Sequence, residues 1–400
     1  MKIKLKLQTQ IFIGLFFGVL CGYFFKDFTL MFLPQVGEVF IRMLKMLIVP
    51  LVFASMVVGM GSIGDIKSIG KVGGKTFLYF IISTMIAVSI GLLLVSVIQP
   101  GIGTEITLEK PVDFTAGTAS ITDTIIKIVP KNIVSALAQS EMLSIILFAL
   151  LVGAALTTMG DKSKPVYNFF DSMNTVMMRI TDWIMALAPY GVFALIASTI
   201  ARTGLAAFKP LTMYILVVVV GLLIHAVVVV PAILIFVARY SPIKLFKEMI
   251  PALATVFSTA SSAAAMPVVI DCLIKKVKVS NRVVSFLVPL GTTMNMNGTA
   301  LYQGVAVVFF AQIYGIKLTL LQMAIIIVTA TLAAIAAAGI PSAGFVTMVL
   351  IMNAVNVPIE GIGFILGVDR FLDMLRSTVN LWSNSTGAVV VARFEGEDFS

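Results

Sequence analysis

Charge is what this sequence has least of. Only 12% of its 400 residues are Asp, Glu, Lys or Arg, and 59% are hydrophobic. A water-soluble domain carries about 25% charged residues. A soluble globule of this length could not cover itself with so few, so that class is excluded. Histidine occurs once, as His225, and cysteine twice, as Cys21 and Cys272. The cysteines form neither a metal-ligand cluster nor a disulfide framework, and they read as buried thiols. No metal-ligand motif and no paired nucleophile and base are present. The chain therefore does not read as an enzyme, and no cofactor is expected. His225 lies in the middle of GLLIHAVVVV. It reads as a packed or helix-bridging histidine in preference to a proton relay.

Long apolar runs are abundant. They lie near residues 8–25, 40–64, 76–104, 133–160, 167–201, 210–238, 249–274, 286–316, 318–359 and 361–392. Most have the length of a membrane span, roughly 20 residues or somewhat more when tilted. The net charge of +9 then marks cytoplasmic loops and not a nucleic-acid partner. The opening MKIKLKLQTQIFIGLFFGVLCGYFF has a basic start but no A-x-A-like cleavage site, so it reads as a retained first span.

Two runs do not fit a single crossing. The segment 249–274 is preceded by Arg239, Lys244 and Lys247 and followed by Lys275, Lys276, Lys278 and Arg282. The positive-inside rule places both flanks in the cytoplasm. Its centre, FSTASSAAAMP, is small, hydroxylated and closed by Pro267, which predicts a re-entrant hairpin. The segment 318–359 is about two spans long, with Gly339, Pro341 and Gly344 in its middle to break a helix. Chain parity puts both its ends outside. The prediction is an all-α membrane protein with eight crossings and two opposed re-entrant hairpins, an inverted-repeat architecture. Both termini fall in the cytoplasm, and both hairpin tips must be buried in protein or line a cavity.

Polar groups concentrate in two of these runs. In the last, Asp369, Asp373, Arg376, Asn380 and Asn384 follow a spacing of 4, 3, 4 and 4, which is one helical face. Ser377 adds a hydroxyl four residues after Asp373. Ionisable residues inside a bilayer cost at least about 2.5–3.5 kcal/mol each. Asp373 and Arg376 therefore either neutralise each other or bind a zwitterion. In the second case Arg376 takes a carboxylate with its fork and Asp373 takes an ammonium, with Ser377 and Asn380 adding hydrogen bonds. Asp369 reads as a packing charge or a charge at the outer helix end. The other polar group is NMNGT, residues 295–299, inside an otherwise apolar stretch. A buried amide or hydroxyl without a partner costs roughly 2–7 kcal/mol, so Asn295, Gly298 and Thr299 predict an unwound stretch facing a cavity.

These residues carry a resemblance. The chain resembles the dicarboxylate/amino acid:cation symporter family, the glutamate transporters and their archaeal aspartate-transporting relatives. The likeness runs through KMLIVPLVFASMVVG (45–59), APYGVFALIA (188–197), STASSAAAMP (258–267), PLGTTMNMNGTALYQG (289–304) and AGIPSAG (338–344). Its most specific part is D-x-x-x-D-x-x-R-[ST]-x-x-N at 369–380. The resemblance implies a homotrimer working by an elevator mechanism in a prokaryotic plasma membrane. A scaffold would comprise 1–69 and 131–202, and a transport domain 70–130 and 203–400. The hairpins would be 243–278 and 317–358, the second acting as the gate. It further implies that Arg376 binds the substrate's side-chain carboxylate and Asp373 its amino group. Asn380 and Thr299 would add contacts, and Ser262 and Gly339 would approach through backbone.

The departures from that family fall on its sodium ligands. NMDGT would carry an aspartate where this chain has Asn297. A second aspartate is expected where Asn384 stands, after Ser383. A third-span tyrosine is replaced by Phe80, although Ser83 and Thr84 keep hydroxyls there. Gly291 and Asn295 belong to the same degenerate set. Hard cations prefer charged oxygens, so these changes predict weak or absent sodium coupling. A further cation position built from the carbonyls of Thr293, Ala334, Ile335 and Ala337 needs no particular side chains. Ala260 stands where the archaeal members carry an arginine. The expectation is an acidic amino acid transporter, for aspartate or glutamate, driven by protons or uncoupled. Asp373 is the first candidate proton carrier and Asp369 the second. A C4-dicarboxylate carrier of the same fold, a still sodium-coupled symporter and an ion channel are the alternatives.

Overall fold

The computed structural model describes residues 7–61, 66–103, 129–139, 141–204, 208–336, 343–359 and 362–397. These are helical almost throughout, and no β-strand occurs among them. The outward loop up to residue 128, Lys2, Lys4 and Lys6, and the expected sites at Gly339 and Ala337 lie outside the described residues.

The chain begins with α1 (Leu7–Phe24), α2 (Lys26–Gly61) and α3 (Ile66–Ile98). It continues with α4 (Ile133–Ala138), α5 (Met142–Thr158), α6 (Lys164–Ala186) and α7 (Ala188–Thr203). Two of the differences from the apolar runs are these. Helix α2 starts at Lys26 and not near residue 40, and it runs on through Pro34 and Pro50. The run 167–201 is interrupted at Leu187, whose N–H bonds to the Ile184 carbonyl at 2.9 Å, one residue closer than the α-helical pattern.

Helices α1, α2, α5, α6 and α7 pack mainly on one another. The α1–α7 contact is close because Gly14, Gly18 and Gly22 form a small-residue stripe. A Cβ at Gly14 or Gly22 would sit 2.4 Å from the carbonyl oxygen of Pro189 or Ala197. Backbones approach this way when only van der Waals packing holds apolar helices together.

The remaining elements pack around α3. Helix α8 (Phe208–Ile224) passes through a π-turn (His225–Val229), a short helix α9 (Val230–Ile233) and a second π-turn (Leu234–Ala238). Gly73–Ile98 and Lys209–Ala238 are, by length and composition, long and apolar enough to cross a membrane. Next come α10 (Pro242–Thr259) and α11 (Ser262–Asp271), packed against each other. Their turn is made by Ala260 at φ 50° and by Ser261, whose hydroxyl accepts the Ala264 N–H at 3.2 Å. Pro267 does not close this turn. It lies within α11, where it forfeits a single intrahelical hydrogen bond.

Helices α12 (Asn281–Met294) and α13 (Asn297–Ile313) are separated by two residues, Asn295 and Met296. The second helical pair is α14 (Leu320–Ala336) and α15 (Ala343–Ala354), and the last helix is α16 (Gly363–Phe394). Past its end, Glu395 pairs with Lys75 at 2.7 Å. Glu397 accepts the Ser280 N–H at 2.9 Å, a carboxylate at the positive end of α12.

Candidate functional site

The site begins with the break between α12 and α13. Asn295 (φ −101°, ψ 76°) and Met296 (φ −111°, ψ 58°) leave the helical region. The first N–H groups of α13 therefore need partners from outside the helix. Asn380 on α16 supplies one: its Oδ1 accepts from Gly298 at 2.7 Å and from Thr299 at 3.4 Å. Its Nδ2 donates to the Thr299 hydroxyl at 3.0 Å. Gly298 permits this approach, since a Cβ there would stand 2.8 Å from the Arg376 carbonyl oxygen. The unwinding is shorter than NMNGT suggests, because Gly298 and Thr299 already lie in the first turn of α13.

One turn before Asn380, Arg376 is fully buried. Its Nη2 donates to Asp373 Oδ1 at 2.8 Å, and its Nη1 pairs with Asp369 Oδ1 at 2.9 Å. Asp369 is therefore not a charge of the outer helix end. It is 2% exposed and belongs to the arginine, whose long side chain reaches back across two turns. The guanidinium carbon lies 3.9 Å from the centre of the Tyr302 ring, a cation–π contact in a desolvated place. Tyr302 in turn meets Tyr214 edge-on at 6.2 Å between centroids. The Nη1 end points toward α15: a Cβ at Gly344 would stand 3.4 Å from Nη1 and 3.4 Å from Thr299 Cγ2. Gln303 ties this end of α15 to α13 by donating from Nε2 to the Gly344 carbonyl at 3.0 Å and to the Thr347 hydroxyl. Arg376, Asp373, Asn380, Thr299 and Gly344 thus converge.

The α10–α11 turn approaches from another side. Ser377 donates to the Ala260 carbonyl at 3.4 Å, so its hydroxyl holds the turn in this conformation. Ser262 lines a small cleft with Gly291, Thr292, Asn380 and Asn384. Asn384 donates to the Val288 carbonyl at 3.4 Å, while its Oδ1 has no hydrogen-bond partner. A Cβ at Gly291 would fall 1.7 Å from that oxygen.

Behind the break lies a second cluster that contains no charge. Thr84 donates to Asn297 Oδ1 at 2.8 Å, and its hydroxyl also lies 2.7 Å from the Phe80 carbonyl. Asn297 Nδ2 donates to Ser383 Oγ at 2.7 Å and meets His225 Nε2 at 3.2 Å. Ser83 donates to Asn295 Oδ1 at 3.5 Å. The Tyr79 hydroxyl donates to the Ser383 carbonyl at 2.8 Å. His225 thus bridges α8 to α13 from the first residue of its π-turn. The spacing of NMNGT gives no hint of His225 as a partner of Asn297, or of Tyr79 as a partner of Ser383; a lone polar residue in each apolar run is the only signal. Among the backbone set, Ala334 and Ile335 fall in the last turn of α14, where helix carbonyls lack intrahelical partners. The Thr293 hydroxyl bonds the Leu290 carbonyl at 2.9 Å.

The sequence matches the sodium:dicarboxylate symporter family over residues 7–394. It is 37% identical to the proton/sodium-glutamate symport protein of Bacillus caldotenax, covering 98% of this chain and 96% of the relative. It is 34% identical to the proton/glutamate-aspartate symporter of Escherichia coli, over 98% and 94% of the two chains. The C4-dicarboxylate transport protein of Bacillus subtilis is 33% identical, over 99% and 95%. A buried arginine shared by two aspartates, set against an unwound break in an apolar helix, thus stands in a sequence that matches symporters from end to end: the chain belongs to the sodium:dicarboxylate symporter family and is a membrane transporter.

Proposed function

We propose that the protein carries acidic amino acids, aspartate or glutamate, across the cell membrane, and that sodium does not drive it. The observation that carries this reading is the Asp369–Arg376–Asp373 cluster. Arg376 is fully buried, and its fork suits a carboxylate bound through two nitrogens. Asp373 beside it suits an ammonium. A substrate with one amine and an extra carboxylate satisfies both. Thr299 and Asn380 flank the position, and Gly344 leaves room at Nη1 where a side chain would press on the guanidinium.

Sodium independence rests on the neutral clusters. Asn297 is hydrogen-bonded through both its oxygen and its nitrogen, and Asn384 offers a neutral amide oxygen. A unit charge pair about 4 Å apart at an effective dielectric near 20 contributes roughly 4 kcal/mol, which these amides do not supply. Protons are the remaining driving ion in this reading. Carbonyls near the end of α14, with Thr293, leave one weaker cation position to be tested with it.

In this reading α1, α2 and α4–α7 are the scaffold of a homotrimer. The other helices, with the pairs α10–α11 and α14–α15 as re-entrant hairpins, move together as an elevator, and α14–α15 gates the site. Both termini face the cytoplasm. The support is the packing pattern, in which every site residue comes from the second group.

The test is uptake of labelled aspartate into proteoliposomes under imposed gradients. An inward proton gradient should drive accumulation, with less than about a twofold change when external sodium replaces potassium, since a site of low occupancy contributes little linkage. Steep dependence on sodium would sink the proposal. The second reading, a C4-dicarboxylate carrier, is favoured by the likeness to C4-dicarboxylate transport proteins such as that of Bacillus subtilis. It leaves Asp373 without an ammonium to bind, and competition by succinate against aspartate separates the two.

A further inference from the structure

Asp369, Asp373 and Arg376 are buried together. Two carboxylates and one guanidinium leave the empty site one negative charge in excess. Aspartate or glutamate brings another. Counted over these three side chains, the loaded state would hold two uncompensated negative charges, which a low-dielectric interior strongly disfavours. A cation entering with the substrate would offset that charge, and the side-chain positions expected to hold a metal ion, Asn297 and Asn384, present amides.

The geometry also separates the two aspartates. The Asp373 contact with Nη2 is an aligned hydrogen bond. The Asp369 contact with Nη1 is a close ion pair without that alignment. Nη1 is also the nitrogen that points toward Gly344 and Thr299, where the substrate carboxylate must arrive. The incoming carboxylate therefore takes Nη1 from Asp369 and leaves Asp373 in place for the ammonium. The ionisable groups that act on Asp369 are Arg376 and Asp373 from its own helix and Tyr302 from α13. Tyr214 from α8 lies behind Tyr302 and feels both Asp369 and Arg376. Neither tyrosine can replace the lost positive charge.

We propose that Asp369 is the coupling-proton carrier: it accepts a proton from the outer solution when the substrate carboxylate displaces it from Arg376. It returns that proton to the inner solution when the substrate leaves and the ion pair re-forms. This reverses the order expected from sequence, in which Asp373 came first. It rests on the reading of the protein as an acidic amino acid transporter.

The experiment uses the purified full-length protein and aspartate. Binding should take up about one proton per aspartate at alkaline pH, so the dissociation constant rises about tenfold per pH unit there. Proton uptake is read by a pH dye in weak buffer and by calorimetry in buffers of different ionisation enthalpy. Infrared difference spectra should show a protonated-carboxyl carbonyl band on adding aspartate. Asp369→Asn should bind aspartate with no proton uptake, no band and a flat pH dependence. If that variant does not fold, Asp369→Glu decides, because the band must then shift in frequency. Wild-type binding with no proton taken up overturns the proposal, as does uptake that persists in Asp369→Asn or a band that Asp369→Glu leaves unmoved. Failure of the wild-type protein to bind aspartate or glutamate at all would instead overturn the transporter reading beneath it.

Discussion

Asn297 shows how one residue sets the electrical state of a buried cluster. Its amide oxygen faces Thr84, and its nitrogen faces Ser383 and His225. Asn297→Asp keeps the shape and adds a charge with no buried cation opposite it. An uncompensated buried charge costs about 3–5 kcal/mol, so the variant should melt earlier in potassium buffer. Sodium at about 100 times its dissociation constant would restore about 2.7 kcal/mol. Thermal melts in sodium and potassium chloride should therefore separate for Asn297→Asp and coincide for the wild-type protein. Coincident melts for the variant would show that the amide is not what keeps sodium out. Much at this scale was legible in the sequence. Asn295 within an apolar run announced the helix break, and the 4-3-4 spacing put Asp373, Arg376 and Asn380 on one face. From spacing Asp369 reads as a packing charge or a charge at the outer helix end; its burial against Arg376 fits the first, and spacing does not tell how far back an arginine reaches. Tyr302 and Tyr214 gave no signal, since an aromatic residue on an apolar helix reads as core until a buried cation is found over its ring.

At the scale of elements, the arrangement depends on backbones that stop being regular where polar groups are needed. The α12–α13 break frees N–H groups for Asn380. The first π-turn of the α8 segment begins at His225, and the Ala226 carbonyl within it accepts the Trp382 indole N–H at 3.0 Å. The α10–α11 turn places Ala260 in the left-handed region, and its carbonyl accepts from Ser377. Hydroxylated, small residues predicted this turn correctly, but Pro267 misled because a proline stops a helix less reliably than a capping serine starts one. The π-turns had no sequence signature, because the surrounding runs are uniformly apolar and show no period to interrupt. Gly291 of α12 lies tight against the Asn384 amide of α16. Gly291→Ala would drive a methyl group into the amide oxygen and should cost about 1–3 kcal/mol, the usual range for overpacking. In an Asn384→Ala background the same change should cost clearly less, with a coupling of at least about 0.5 kcal/mol. Thermal or denaturant unfolding of the four proteins in the cycle measures it, and strict additivity would show that the two elements do not press on each other here.

At the scale of the molecule, the helices sort into two groups. One is α1, α2, α5, α6 and α7; the other is built on α3, α8 and α10–α16. Every residue of the charged cluster, the helix break and the neutral amide cluster comes from the second. The groups touch where α2 meets α14 and α15, where α7 and α1 meet α16, and where α5 meets α15. If the second group carries the substrate as a body, a covalent tie between α2 and α15 should stop transport without touching the binding chemistry. Both native cysteines are free, so Cys21→Ala and Cys272→Ala give a background for engineered pairs across that contact. Oxidised pairs should cut aspartate uptake to background, and reduction should restore it. Aspartate affinity in detergent should stay within about threefold of the reduced protein, a difference of only about 0.7 kcal/mol. Uptake that continues with the pair fully oxidised would mean that α2 and α15 need not part during the cycle, and a moving body containing α15 would then be untenable. Loss of binding on oxidation would instead place part of the site on the first group, against the position of every residue described around Arg376.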